Sequence, residues 1–246
     1  MHPILTIFGH SFTAYALFNY FGVIVVFSVS SIFFLRYRGL TWTKSLLLTL
    51  ATNIITYLGG KAGHYIAYYD EYQKGQIGFF SNLNSFLVTG IIAAIFCVWV
   101  LSALMKEKPF RVLDAMAPGA ALTVGIAKIG CFLTGCCGGI HSSMPWAMVF
   151  PGTTIPVHPV QIYESVFGFV MAAWLIYKTE KGNEPDGSLI MTFGGAYCLF
   201  RFFIFYLREP PAGAAGTALA PVLFVMLAGF FFSYLFFPAL KGGRIK

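Results

Sequence analysis

Apolar residues run through this chain in long stretches, separated by short segments that carry most of its charge. A helix needs about 20 predominantly apolar residues to cross a bilayer. Seven stretches fit, at about 12–35, 44–66, 85–105, 113–134, 161–177, 188–207 and 214–239. The pattern predicts an all-α polytopic membrane protein with about seven transmembrane helices. They would form a single transmembrane domain over residues 1–246, with a loop at about 135–160. Loops of that length are often functional. No internal repeat and no low-complexity segment interrupts the pattern.

The basic residues orient the spans. Eleven of the sixteen Lys and Arg residues fall in the loops after spans 1, 3 and 5 and in the tail. They are Arg36, Arg38, Lys44, Lys106, Lys108, Arg111, Lys178, Lys181, Lys241, Arg244 and Lys246. Cytoplasmic loops collect positive charge. This places the C-terminus in the cytoplasm and the N-terminus outside, because an odd number of crossings separates the two ends. Ile129 to Tyr177 contains no Lys or Arg, so the loop at about 135–160 faces outward.

Composition excludes the main alternatives. Hydrophobic residues make up 58% of the 246 residues, charged residues 10%, and mean hydropathy is +0.76. A soluble domain carries roughly a quarter charged residues. A water-soluble globule cannot bury this much apolar surface, and a disordered chain would need far less of it. The net charge of +7 follows from the topology signal, so no nucleic-acid partner is expected. Five cysteines cannot all pair internally, and no disulfide framework is read from them. The opening residues carry no Lys or Arg before the first apolar run, which argues against a cleaved secretory signal.

Ionisable residues at membrane depth are costly and are functional candidates by default. Lys128 and Arg201 each lie about six residues below the outward end of their span, or about 9 Å at 1.5 Å per residue. Tyr15, Thr89, Gly90, His158, Gln161, Tyr163 and Glu164 fall near the outward ends of other spans. Snorkelling would explain one such cation. Two cations and a carboxylate at one depth point instead to a paired cluster in the outer leaflet. A cationic pocket there suits the head group of an anionic phospholipid.

The segment GIAKIGCFLTGCCGGI, residues 125–140, has a second chemistry. Its glycines allow close helix packing followed by a turn. Its three cysteines, Cys131, Cys136 and Cys137, leave several readings open. Cys-x4-Cys-Cys is not a standard zinc spacing, even with His141 or His158 nearby. Adjacent cysteines form only a strained bridge. A thiol beside Lys128 or Arg201 would be more readily ionised. Cys97 and Cys198 are expected to be buried small residues. The common nucleotide-binding and hydrolase motifs are absent, so no cofactor and no metal site are assigned.

Several segments resemble the bacterial prolipoprotein diacylglyceryl transferase family. Asp114 to Pro118 and Gly125 to Gly130 resemble the run into its signature, D-x-x-A-P…G-R-I-G-N-F-x-N-G-E-x-x-G. Pro145 to Pro151 resembles its P-W-A-x-x-F-P. His158-Pro-Val-Gln161-Ile-Tyr163-Glu164 matches its H-P-x-Q-L-Y-E, the most specific of these motifs. Tyr197 to Phe202 resembles its Y-G-x-x-R-F, and Tyr15 to Gly22 the Y-G-L-M…G of its first span.

The resemblance implies transfer of the diacylglyceryl group of phosphatidylglycerol, or a similar anionic phospholipid, to a cysteine thiol. The acceptor would be a lipobox-containing prolipoprotein or another thiol. The enzyme would lie in the bacterial cytoplasmic (inner) membrane with its site facing the outer leaflet. The implied catalytic set is Tyr15, His158, Tyr163, Glu164, Tyr197, Arg201 and Cys136. The implied substrate-binding set is Lys128, Arg201, Arg208, Gly130, Cys131, Gly139 and Gln161. Lys128 stands where the family has Arg, and supplies charge without the bidentate fork.

The departures define a cysteine-rich divergent branch. The signature Asn is Cys131, the signature Glu is Cys136, and the second Asn is Thr134. The family's H-G-G reads Val88-Thr89-Gly90, and the Glu four residues after the motif arginine is Phe205. Cys136 is read as either a covalent relay or a small filler, with the filler favoured because a thioether leaves poorly. One alternative is a thiol-redox or metal-handling protein using Cys131, Cys136 and Cys137. Another is a non-catalytic lipid-binding protein.

Overall fold

The structure is a computed structural model, and it describes residues 4–7, 10–76, 78, 86–151, 153–208 and 219–240. The chain begins with a short antiparallel hairpin, β1 (Ile4–Ile7) and β2 (His10–Thr13), which the apolar pattern did not foresee. Helices follow: α1 (Ala14–Ala16), a π-helical turn (Leu17–Gly22), α2 (Val23–Tyr37), α3 (Trp42–Ala67), α4 (Tyr69–Gln73), α5 (Leu87–Leu104), α6 (Pro109–Thr134), α7 (Val160–Lys181), α8 (Ser188–Leu207) and α9 (Leu219–Leu240). Each expected span lies on a long helix. The third was placed from 85 and the last from 214; Ser85 and residues 214–218 lie outside the described residues, as do Lys241, Arg244 and Lys246.

Five of these helical stretches are long and apolar enough to cross a membrane: Ala14–Tyr37, Leu87–Leu104, Pro109–Thr134, Val160–Lys181 and Ser188–Leu207. The protein is therefore an all-α, multi-pass membrane protein. Val29, Phe33, Phe96, Val170 and Phe203 point outward from the spans. In a lipid solvent such exposure carries no penalty. α3 falls outside these five and carries Lys44, Lys61 and His64.

The chain divides into two compact units: residues 28–116, and residues 1–27 with 117–246. In the first unit, α3 and α5 meet through small residues. A Cβ on Gly59 would stand 2.5 Å from Ala93 Cβ, and one on Gly90 would stand 2.7 Å from the Thr56 carbonyl oxygen. Lys61 and His64 are buried, and His64 Nδ1 lies 3.0 Å from the Tyr72 hydroxyl. Lys44 pairs with Glu107 at 2.6 Å. Cys97 is half-buried rather than buried, because its face of α5 is not fully covered; Cys198 in the second unit is buried as expected.

The second unit is built on a ladder of small residues. Ala117, Ala121 and Gly125 recur every four residues on α6, and Gly168 and Ala172 do so on α7. Positions four apart share one helix face. A Cβ on Gly168 would stand 2.5 Å from Gly125 N, so the two backbones touch there. Ser165 Oγ donates to the Gly125 carbonyl at 2.9 Å, which fixes the axial register. Leu175, Leu189 and Phe193 complete this core. α8 packs on α7 through the stacked rings of Phe167 and Phe200, 4.2 Å apart. α7 ends at Gly182, whose φ of +67° supplies the left-handed cap, with Lys178 and Lys181 in its last turn.

Candidate active site

The small-residue ladder sets the site. Lys128 lies three residues beyond Gly125 on α6, and Glu164 four residues before Gly168 on α7. Close contact of the two glycines therefore brings lysine and carboxylate together. Glu164 is almost fully buried and forms ion pairs with both Lys128 and Arg201. Arg201 Nη1 also donates a hydrogen bond to Glu164 Oε1. Arg201 is held one helical turn beyond Tyr197, and its guanidinium lies 5.8 Å from the centre of the Phe224 ring. Two cations around one carboxylate leave the cluster one positive charge. Lys128 and Arg201 keep 17% and 19% of their side-chain surface exposed, against 1% for Glu164. The cations are accessible and their counter-ion is not. Tyr197 stands within electrostatic reach of all three.

The segment between α6 and α7 is tied down on both sides of this cluster. Gly139 N donates to the His158 carbonyl at 3.0 Å, and Ile140 N donates to the Leu207 carbonyl at 2.9 Å. Gly139 also bridges to Arg208. A Cβ on Gly139 would stand 2.5 Å from the Leu207 oxygen and 2.7 Å from His158 Cβ. Only glycine lets three backbones approach this closely. Trp146 Nε1 donates to the Tyr163 hydroxyl at 2.8 Å, and that hydroxyl lies 3.2 Å from His158 Nδ1. A groove of about 600 Å³ opens beside this chain, lined by Trp146, Met148, Pro159, Ile162 and Tyr163.

The cysteines converge through the end of α6. Cys136 N donates to the Cys131 carbonyl at 3.1 Å and Gly135 N to the Phe132 carbonyl at 3.2 Å. With Gly135 at φ +75°, these bonds form a Schellman turn. Cys137 follows, itself at φ +61°. The turn folds the chain back on its own helix, and the Cys131, Cys136 and Cys137 sulfurs all lie within 4.8 Å of one another. Thr134 Oγ1 donates to Cys136 Sγ at 3.5 Å. Gln161, fully buried, donates from Nε2 to the Cys136 carbonyl at 2.6 Å. Hydrogen bonds from Cys131 and Cys136 hold the Cys137 thiol below the ordinary thiol range. Arg208 and Lys128 add to this, while burial opposes it.

Residues 3–236 match the family model for prolipoprotein diacylglyceryl transferase. The chain belongs to this family. The phosphatidylglycerol–prolipoprotein diacylglyceryl transferase 2 of Clostridium perfringens is 29% identical over 202 residues, 78% of each chain. The corresponding transferase of Nitratidesulfovibrio vulgaris is 30% identical over 205 residues, again 78% of each. That of Pseudomonas aeruginosa is 27% identical over 207 residues, 79% of this chain and 77% of its own. As a member of the prolipoprotein diacylglyceryl transferase family, the protein is a membrane transferase.

Besides His158, Tyr163 and Gly139 in the segment between α6 and α7, the sequence-derived residues of the second unit fall mainly into two groups. Lys128, Glu164, Arg201 and Tyr197 form the ionic group. Cys131, Cys136 and Gln161 form the thiol group, with Tyr15 and Arg208 in electrostatic reach of the thiols. Gly130 faces Phe18 and Asn19, where a Cβ would stand 2.7 Å from Phe18 Cβ. Thr89 and Gly90 belong to the other unit and pack against Gly63 and Thr56. Two contacts escaped sequence reading. Asn19 donates to the Ala127 carbonyl at 3.2 Å, and Trp146 anchors Tyr163. A lone amide inside an apolar run was the available signal for Asn19.

Proposed function

We propose that this enzyme moves the diacylglyceryl group of phosphatidylglycerol to the lipobox cysteine of a prolipoprotein. The work is done at the outer leaflet of a bacterial cytoplasmic membrane. The seven long helices each cross the bilayer, with the N-terminus outside and the C-terminus in the cytoplasm. The observation that carries the reading is the pair of accessible cations, Lys128 and Arg201, braced by buried Glu164.

Among the described residues, Glu164 is the only hydrogen-bond acceptor for the Arg201 guanidinium. Its other N–H donors serve the phosphate, with Lys128 supplying point charge. Charge builds on the phosphate oxygen as its bond to the glyceryl carbon breaks, and fixed cations stabilise it there. The acceptor sulfur forms the new carbon–sulfur bond, and the thiol proton ends on the departing phosphate monoester. Glu164 holds the cations at fixed separation before the lipid enters. His158 and Tyr163 brace the segment carrying Gly139, Tyr197 lies within electrostatic reach of the cations, and Tyr15 within reach of the thiols. The test is purified protein with phosphatidylglycerol and a synthetic lipobox peptide, read by mass spectrometry. Thioether product with the unaltered protein and none with Arg201→Ala is expected. Equal rates would overturn the assignment of Arg201.

A further inference from the structure

We propose that Cys131, Cys136 and Cys137 bind one zinc ion as three thiolate ligands and leave its fourth coordination position open. The spacing along the chain is not a standard zinc pattern. The Schellman turn at Gly135 supplies the reason to assign a metal, because it converts a local run of cysteines into a convergent triad. Three sulfurs at about 2.3 Å from one tetrahedral ion stand about 3.8 Å apart. The three Sγ atoms already lie within 4.8 Å of one another, a gap that small side-chain rotations close.

The donor set narrows the metal. All three ligands are soft sulfur, which suits zinc and rejects magnesium and calcium. Among the described residues, no His, Asp or Glu joins the triad. Structural zinc sites fill all four positions with protein ligands, whereas catalytic ones keep three and leave one open. The surroundings resemble a built site. Thr134 donates to Cys136 Sγ, and buried Gln161 fixes the Cys136 carbonyl. Such outer hydrogen bonds hold ligands in orientation. Three thiolates and a divalent ion carry one net negative charge, and Lys128 and Arg208 lie within electrostatic reach of Cys137 to offset it.

The open position takes a thiolate from another molecule. This part rests on the transferase reading, in which that thiol is the acceptor cysteine. On binding zinc the acceptor thiol releases its proton. Its sulfur lone pair then forms the bond to the glyceryl carbon, and the carbon–oxygen electron pair leaves with the phosphate. The released proton is matched by the one the phosphate monoester takes up, and no oxidant or reductant is needed.

The test uses the full chain purified in detergent under reductant. Elemental analysis should find stoichiometric zinc, falling to background in Cys131→Ser, Cys136→Ser and Cys137→Ser. A reading independent of variant folding comes from the unaltered chain. Alkylation of these three thiols by iodoacetamide should slow with zinc and recover after chelation. With cobalt in place of zinc, a thiolate charge-transfer band should form. Lipobox peptide should shift the cobalt bands, and the same peptide with serine for cysteine should not. Three freely titrating thiols without retained zinc would overturn the site, as would zinc surviving in a triple serine variant. A cobalt band that ignores the cysteine peptide would overturn the open position. A peptide-sensitive band without any thioether product would leave the site standing and defeat the transferase reading instead.

Discussion

Glu164 on α7 accepts a hydrogen bond from Arg201 on α8, 37 residues further along the chain, while pairing with Lys128 on α6. One buried carboxylate thus fixes two cations from different helices. Removing it leaves both uncompensated. Glu164→Gln is expected to destabilise the protein by roughly 3 kcal/mol, as for a broken buried pair whose cations keep partial contact with solvent. Thermal unfolding in detergent would show a lowered midpoint. An unchanged midpoint would mean that the helices, rather than the carboxylate, hold the cations.

Lys128 offers charge without a fork. Lys128→Arg should retain turnover and bind phosphatidylglycerol at least as tightly, and Lys128→Ala should lose most of both. The comparison of kcat and KM decides the outcome. A Lys128→Ala enzyme with unaltered KM for the lipid would remove Lys128 from the binding set.

Gly139 has no room for a methyl group beside Leu207 and His158. Gly139→Ala is expected to cost about 1–3 kcal/mol through forced backbone displacement. Activity should fall further than stability, since the segment carrying Cys136, Cys137 and His158 would move. Parallel melting curves and single-turnover assays would separate the two effects.

Gly168 meets the Gly125 backbone directly. Gly168→Leu should force α6 and α7 apart and separate Lys128 from Glu164, abolishing turnover. Gly182→Ala, at a left-handed cap with open space around it, should cost only about 1 kcal/mol and leave turnover intact. If the two variants lose activity equally, α6–α7 contact is not what positions the cations.

The Tyr163 hydroxyl accepts from Trp146 and faces His158. Tyr163→Phe removes both interactions at a cost of about 1 kcal/mol. Trp146 would then be released into a more mobile setting. A shift in tryptophan emission with a modest loss of rate is the expected outcome, and unchanged emission would show that the pair does not form in the membrane.

The amino-acid sequence by itself determined where the helices lie. Continuous apolar runs in lipid have one ready way to satisfy their backbone, so length and hydropathy suffice to place them. It also marked Lys128, Glu164 and Arg201, because a charge inside an apolar run is conspicuous. The hairpin at Ile4–Thr13 escaped, since two four-residue strands carry little periodic signal. Only the tertiary structure decided which charges pair. That depended on Gly125 meeting Gly168, a contact between residues 43 positions apart. It also decided that the three thiols converge, through two left-handed residues at the end of α6. Spacing along a chain does not report either event, because a turn can fold distant side chains together or drive adjacent ones apart. The sequence named the chemical groups, and close helix packing and one turn gave them a common place.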